Sequence, residues 1–460
     1  MSETAILILA AGDGKRMKSA HPKALCQVLF KPMISWVLDA CNKAGYQSGQ
    51  ICVVCGKGGE ELQTLLPEGT QTVWQNERLG TGHAAMQTEG FLRSLAKGAQ
   101  VMILFGDAPF ISEELIINSR QAHIKSGAKL TVIAAQVENP KGYGRIVRDE
   151  QYNLLEIVEE RDATAEQKTI REVFGAMWAD VEWLLSAFPR MKNDNAQKEY
   201  YLTDCAMLAS GDHVKALAYV APDSDVILGA NSRADLLKLN QIAARRILEK
   251  HMANGVEVLS SDGVLIGAET VIGAGTAIYP GTILKGKTVI GTGCTLGPNT
   301  VIENSSIGDG CTINASQIED SILEENVSMG PFAHIRPGSH IGSSVHLGNF
   351  TEVKNSNIGA RTAVSHLTYV GDSDVGEAVN FGCGCVTVNY DGMNKHRTVI
   401  GDHAFIGCNT NLVAPVKVGD FGFTAAGSTI TQDVPDNALA IERGEQYNKP
   451  EWSKGKIKMK

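Results

Sequence analysis

The chain has 460 residues, 43% of them hydrophobic and 20% charged, with a formal net charge of −9. That balance suits a globular protein with more than one core and excludes disorder, collagen and a small disulfide scaffold. The acidic excess argues against nucleic acid or an anionic membrane as partner, and no apolar run approaches the ~20 residues of a bilayer span or follows a cationic leader, so a cytoplasmic protein is expected.

From Thr4 to about Pro222, short aliphatic runs alternate with amphipathic stretches. Strands are expected at Ala5–Leu9, Ile51–Cys55, Val101–Phe105 and Leu130–Val137, and helices at Pro32–Ala44, Gly82–Ala96 and Ser112–Ser126. The alternation predicts a mostly parallel sheet covered on both faces, with ligands beyond the carboxyl ends of its strands. Cys52-Val53-Val54-Cys55 has CxxC spacing, but in a strand residues i and i+3 point to opposite faces, so a structural role is expected.

Asn231 to Ala253 carries apolar residues at helical spacing behind a Ser232/Asp235 capping pattern and stops at Asn254-Gly255, predicting a helix over 231–254 that either links two domains or packs as one more helix on the first. After Val264 a period of six appears. Ile266, Ile272 and Ile278 begin it; Ile290, Leu296 and Ile302 follow; Ile335, Ile341, Leu347, Val353, Ile358, Val364 and Val370 continue, then Ile400, Ile406, Leu412 and Val418. Many of these anchors precede Gly. A hexapeptide period predicts a parallel β-helix of three-sided coils, the aliphatic residue inside and Gly at the corner, with about nine coils over 264–430. Cys385 to Thr398 breaks the period, and an insertion in a solenoid becomes a projecting loop suited to binding. The expected organisation is 1–230, linker 231–254 and β-helix domain 255–460.

Leu9-Ala10-Ala11-Gly12-Asp13-Gly14-Lys15-Arg16-Met17 follows the first strand, and Pro22-Lys23-Ala24-Leu25 comes soon after. A Gly-rich turn with cations beside it suits a nucleoside triphosphate, although it matches neither the dinucleotide nor the Walker A pattern. Further along stand Gln75, Leu79-Gly80-Thr81-Gly82-His83-Ala84, Phe105-Gly106-Asp107-Ala108-Pro109, Gly142-Tyr143-Gly144-Arg145, Ile157-Val158-Glu159, Glu199-Tyr200-Tyr201-Leu202-Thr203-Asp204 and Gly229-Ala230-Asn231. With the β-helix behind them, these motifs resemble the bifunctional bacterial N-acetylglucosamine-1-phosphate uridylyltransferase / glucosamine-1-phosphate N-acetyltransferase family over nearly the whole chain.

The resemblance implies an N-terminal Rossmann-like nucleotidyltransferase domain joined by a helix to a left-handed hexapeptide β-helix. It implies a two-step synthesis of UDP-N-acetylglucosamine for peptidoglycan and lipopolysaccharide precursors. Acetyl-CoA first acetylates glucosamine-1-phosphate; UTP then uridylylates N-acetylglucosamine-1-phosphate and releases pyrophosphate. By the resemblance, Asp107 and Asn231 hold Mg²⁺, and Arg16 and Lys23 neutralise phosphates. Leu9, Ala10, Ala11, Gly12, Gln75, Gly80, Thr81 and Gly106 bind the nucleotide, with Gly144 and Glu159 on the sugar. The chain departs from the family at Asp13 (usually Lys), Lys15 (usually Thr) and Phe174, where the family has an Asn that bonds the sugar.

His366 suits a general base near neutral pH. By the resemblance Arg336, Lys354, Tyr369 and Asn380 bind the sugar phosphate, while Cys383, Asn389, Tyr390, Cys408, Ala426 and Arg443 bind acetyl-CoA. Cys383 and Cys408 stand where the family commonly has Ala and Ser. The family also implies a homotrimer. His334, His340 and His346 fall six apart and are expected to stack on one face; a metal ladder there lacks an evident carboxylate or Cys partner. The Lys-rich end, 454–460, suits a solvated tail. Two rival readings are a single-activity nucleotidyltransferase with a structural β-helix and a non-enzymatic sugar-nucleotide sensor.

Overall fold

The computed structural model describes residues 3–12, 14, 17–19, 21–56 and 58–456, and the chain divides into two compact units between Ala243 and Ala244, partway along the helix Arg233–Ala253. Asp13, Lys15 and Arg16 lie outside the described residues.

In the first unit a twisted sheet runs in the order Ala216–Val220, Leu130–Gln136, Glu172–Asp180, Gln100–Phe105, Thr4–Ala10, Ile51–Gly56, Gln71–Gln75. Thr4–Ala10 is parallel to both neighbours, and Glu172–Asp180 is antiparallel to both of its own. Alternate residues feed two cores: Leu7 and Ile103 enter one, Ile8 and Leu104 the other. Aliphatic residues at every position therefore mark a strand covered on both faces. Cys52 and Cys55 fall in opposite cores, and burial pushes their thiols up to about 12 and about 11.

One expected helix is two. Thr81–Met86 closes where the Thr88 hydroxyl donates to the Ala85 carbonyl at 2.6 Å, and Glu89–Ser94 restarts beyond it. A hydroxyl that takes an i−3 carbonyl competes with the helical ladder and ends it.

The second unit is a parallel β-helix. Each strand pairs with the third strand after it until the last coil, where Phe423–Thr424 pairs with Leu439–Ala440, giving three sheets of eleven, ten and nine strands. The anchors fill the interior; Ile302, Ile335, Leu347, Val364 and Ile406 are completely buried. Gly after an anchor mostly serves close stacking, and only Gly297 and Gly330, each before a proline, also take a positive φ. A Cβ on Gly359 would fall 2.3 Å from the Gly376 carbonyl oxygen of the next coil. The corner from the first sheet to the second turns through positive-φ residues, among them Phe332, Phe350, Leu367, Gly384, Asn409 and Gly427. The break in the period is shorter than expected, because Val386–Val388 still pairs with Asn411–Val413. The excursion comprises 389–397, pinned by the Tyr390/Lys395 bridge.

His334, His340 and His346 do not share a face. Six residues make one side, so the three occupy the second, third and first sheets in turn. His340 Nε2 faces Glu324 Oε1 at 3.0 Å, and His346 Nδ1 faces Ser328 Oγ at 2.8 Å. Among the described residues no three His, Cys, Asp or Glu side chains cluster to hold a metal, and no helix is long and apolar enough to cross a membrane.

Candidate functional sites on the two units

In the first unit, a cleft of about 270 Å³ opens past the carboxyl ends of Thr4–Ala10 and Gln100–Phe105. Leu9, Ala10, Ala11, Gly12, Lys23, Gln75, Gly80, Thr81 and Asp107 line it, as the motifs predict, together with Arg78, Phe105 and Glu199. Its charged floor joins residues far apart in sequence. Lys23 Nζ pairs with Asp107 Oδ2 and donates to Asn231 Oδ1 at 2.8 Å. Gly229 permits this approach, since a Cβ there would meet the Asp107 carbonyl at 3.2 Å. The Asn231 backbone is held in turn by Asp235 Oδ2, which also accepts from Ser232 Oγ, the capping pattern of the following helix. Two hard oxygens, one carboxylate and one amide, thus converge on a positive charge. That donor set fits Mg²⁺, which takes one or two protein oxygens and completes its shell with water and phosphate.

The opposite wall is backbone. Gly80 has φ 105° and ψ 176°, and its carbonyl accepts from Gln75 Nε2 at 2.9 Å. Gly82 N–H donates to the Tyr200 carbonyl at 2.7 Å, and Thr81 Oγ1 accepts from Leu202 N–H at 3.1 Å. The Leu79–Gly82 turn and the Glu199–Leu202 segment therefore close on each other. Arg78, whose Nε donates to the Ala11 carbonyl at 3.2 Å, is a cation the motif reading missed. Its position three residues after Gln75, beside the glycine turn, was the available signal.

Gly144 and Glu159 come together away from this floor: a Cβ on Gly144 would sit 3.6 Å from Glu159 Oε1. Glu159 accepts from the Thr203 hydroxyl at 3.0 Å, yet burial holds its carboxyl above the usual range. Asp204 is pushed up to about 6, by burial first and then by Glu159 and Asp162. Phe174 reaches the same corner. Its N–H donates to the Gly144 carbonyl at 2.9 Å, while its buried ring meets Phe105 edge-on at 6.0 Å. Gly106 N–H donates to the Leu9 carbonyl and carries the chain to Asp107.

In the second unit, Arg336 and Lys354 are register neighbours on adjacent coils of the second sheet. Glu352 Oε1 accepts from Arg336 Nη1 at 2.9 Å, and nearby Lys395 holds the Lys354 ammonium below its usual range. Lys395, on the inserted loop, is a second cation missing from the motif reading. Tyr369 folds its hydroxyl over Gly371, where a Cβ would collide with it, and Gly371 is the next register neighbour of Lys354. Clustered cations of this kind suit a phosphate.

The corner beside this patch carries a second column. Asn349 and His366 are register neighbours, and His366 Nδ1 faces Asn349 Oδ1 at 3.3 Å. Two residues past the paired Val364, Phe381, Ile406 and Thr424, the column continues through Cys383, Cys408 and Ala426. Arg443 Nη1 donates to the Ala426 carbonyl at 2.8 Å. Asn380 lies on the first sheet three residues before Cys383. Asn389 is turned inward, donating to Asp372, whereas Tyr390 is exposed on the loop. Asn349 was missed because its partner is 17 residues away, a stacking distance rather than a motif distance.

A nucleotidyltransferase cleft on one unit and a His-centred column with a phosphate-like clamp on a hexapeptide β-helix define a two-activity transferase. The MobA-like NTP transferase domain model matches residues 6–178, and the bacterial transferase hexapeptide (six repeats) model matches 263–304. A protein of Thermoanaerobacter pseudethanolicus named Bifunctional protein GlmU is 48% identical over 453 residues, covering 98% of each chain. Its namesake from Caldanaerobacter subterraneus subsp. tengcongensis is 47% identical over 459 residues, covering 100% of this chain and 99% of its own. The chain belongs to the bifunctional GlmU family. It is an acetyltransferase and uridylyltransferase that makes UDP-N-acetylglucosamine from glucosamine-1-phosphate, acetyl-CoA and UTP with Mg²⁺.

Proposed function

We propose that the two units divide the two reactions, with uridylyl transfer in the 1–230 cleft and acetyl transfer on the 255–460 β-helix, joined by 231–254. The meeting of Lys23, Asp107 and Asn231 at one point carries the first assignment. Asp107 and Asn231 would hold Mg²⁺, which supplies charge neutralisation on the phosphates when bound. Lys23 and Arg78 neutralise the triphosphate, and Arg16 is assigned the same role by its motif. Gln75, Gly80 and Thr81 hold the uracil and ribose against the turn, with Leu9 to Gly12 and Gly106 beneath, while Gly144 and Glu159 seat the sugar. A sugar-phosphate oxygen attacks the α-phosphorus and pyrophosphate departs. The protein's work is positioning and electrostatics.

On the β-helix, Arg336, Lys354 and Lys395 hold the sugar phosphate, with Tyr369 and Asn380 orienting the sugar. Asn349 Oδ1 can only accept, so it fixes the His366 proton on Nδ1 and leaves Nε2 free as base. The amine attacks the thioester carbonyl as Nε2 takes its proton, and the CoA thiolate leaves. Cys383, Cys408, Ala426 and Arg443 line the cofactor's path along the column, with Asn389 and Tyr390 at the loop. The enzyme works in the cytoplasm as a homotrimer built on the β-helix. The exposed corner residues Phe332, Phe350 and Leu367 support assembly, being apolar and stacked on consecutive coils. The product feeds cell-wall precursors.

The test follows free thiol and pyrophosphate separately in one mixture of glucosamine-1-phosphate, acetyl-CoA, UTP and Mg²⁺. Asp107→Ala should lose pyrophosphate release from N-acetylglucosamine-1-phosphate and keep thiol release; His366→Ala should do the reverse. Either substitution abolishing both activities in a folded protein would overturn the division.

A further inference from the structure

Eight of the ten cysteines are buried; Cys383 is half-buried and Cys408 exposed. These two accessible thiols are register neighbours. Phe381 pairs with Ile406, and two residues on, Asn409 N–H donates to the Cys383 carbonyl at 2.8 Å. Strands of a sheet lie ~4.8 Å apart, inside the roughly 4.4–6.8 Å between Cα atoms that a disulfide requires. Cys408 Sγ lies against the segment that leads into Cys383. A Cβ on Gly382, the residue before Cys383, would lie 2.9 Å from that sulfur. The third thiol nearby, Cys385, is sealed inside, and burial pushes it up to about 11.

We propose that Cys383 and Cys408 are a vicinal-dithiol modification site, joined into a disulfide by a peroxide. One thiolate attacks a peroxide oxygen, the O–O bond breaks, water leaves and a sulfenic acid remains. The second thiolate attacks that sulfur, the S–S bond forms and its hydroxyl leaves as water. Two thiols and one hydrogen peroxide thus become one disulfide and two waters, the thiols supplying two electrons and both protons. Resting on the acetyl-CoA path proposed above, the linkage draws two coils' side chains across the cofactor groove next to His366. Acetyl transfer stops while uridylyl transfer continues.

The test treats the full-length protein with hydrogen peroxide and maps its peptides without reduction. Two thiols should disappear, a Cys383–Cys408 cross-link should appear, and acetyl transfer should be lost and then recovered with dithiothreitol. Phenylarsine oxide, which needs two adjacent thiols, should inhibit the same activity and be reversed by a dithiol. Cys408→Ser, compared with its own untreated rate, should gain no cross-link and resist both reagents. Sulfinic acid on either cysteine without a cross-link overturns the proposal, as does a cross-link to Cys385. A Cys383–Cys408 cross-link that leaves acetyl transfer intact keeps the dithiol site and overturns the placement of acetyl-CoA.

Discussion

Gly80→Ala tests the nucleotide wall at its tightest point. With φ 105° and ψ 176°, Gly80 occupies backbone space that is essentially glycine's alone, at a cost of about 1–3 kcal/mol for another residue. A Cβ there would lie 2.4 Å from the Tyr200 carbonyl oxygen, 2.8 Å from Glu199 Cβ and 2.9 Å from the Tyr200 nitrogen. Two of these atoms belong to backbone that cannot swing aside like a side chain. The Glu199–Leu202 segment must retreat, stretching the hydrogen bonds from Tyr200 N–H to the Leu79 carbonyl (2.6 Å) and from Gly82 N–H to the Tyr200 carbonyl (2.7 Å). Each is worth about 1 kcal/mol. Together with the backbone strain, roughly 3 kcal/mol is removed from a closed cleft, or about a hundredfold in kcat/KM for UTP. Pyrophosphate release over a range of UTP concentrations measures it, with thiol release in the same preparation as the control. An unchanged kcat/KM for UTP would refute the reading of this turn as a rigid wall of the site.

Three other outcomes are expected. Asn349→Leu should slow acetyl transfer about fivefold, the worth of one hydrogen bond, and leave uridylyl transfer alone; an unchanged thiol-release rate would remove Asn349 from the mechanism. Phe174→Asn should raise the preference for N-acetylglucosamine-1-phosphate over glucose-1-phosphate by a similar factor, and identical ratios in both proteins would show that position 174 does not meet the sugar. His123, bonded to Thr131 and Gln100, is held at about 4 mainly by burial, so between about pH 6.5 and 4 only the unfolded chain takes its proton and stability falls by up to about 3 kcal/mol as pH drops. Asp204, raised to about 6, shifts stability in the opposite direction over that window, so the measurement is the difference between wild type and His123→Gln; parallel pH profiles would contradict it.

The fold was legible where burial was complete and periodic. The strands Thr4–Ala10, Ile51–Gly56, Gln100–Phe105 and Leu130–Gln136 are aliphatic because both faces are covered. Gln71–Gln75 and Ala216–Val220 are sheet edges with half-exposed residues, and Glu172–Asp180 is interrupted at Gly175, where the register shifts. The hexapeptide period disappeared between Ile302 and Met329 although the coils do not. There the buried anchors step by five as well as six, from Ile302 to Ile307 and from Ile313 to Ile318 to Leu323. A corner shortened by one residue keeps the register between coils and destroys the period along the chain.

The same geometry explains which site residues sequence spacing found and which it concealed. Spacing within a coil determines the face a residue occupies, so three histidines six apart are carried to three different sheets. Contact requires a full coil. Asn349 and His366 are 17 apart, whereas Cys383 and Cys408 are 25 apart because the inserted loop lies between them. The insertion makes two stacked thiols look unrelated while leaving the ladder beneath them unbroken. In the first unit, Lys23, Asp107 and Asn231 belong to three different motifs and meet at one point beyond the carboxyl end of Gln100–Phe105. Motifs therefore pointed to the chemistry, and stacking brings the candidate residues of the β-helix into one column. A column with side chains ~4.8 Å apart, running from Asn349 to Ala426, presents a path for a long thin cofactor. It carries a base near one end and an arginine at the other. Acetyl-CoA has that shape, with its reactive thioester at the tip and its phosphates at the far end, and under the placement proposed above the thioester would lie toward His366 and the phosphates toward Arg443.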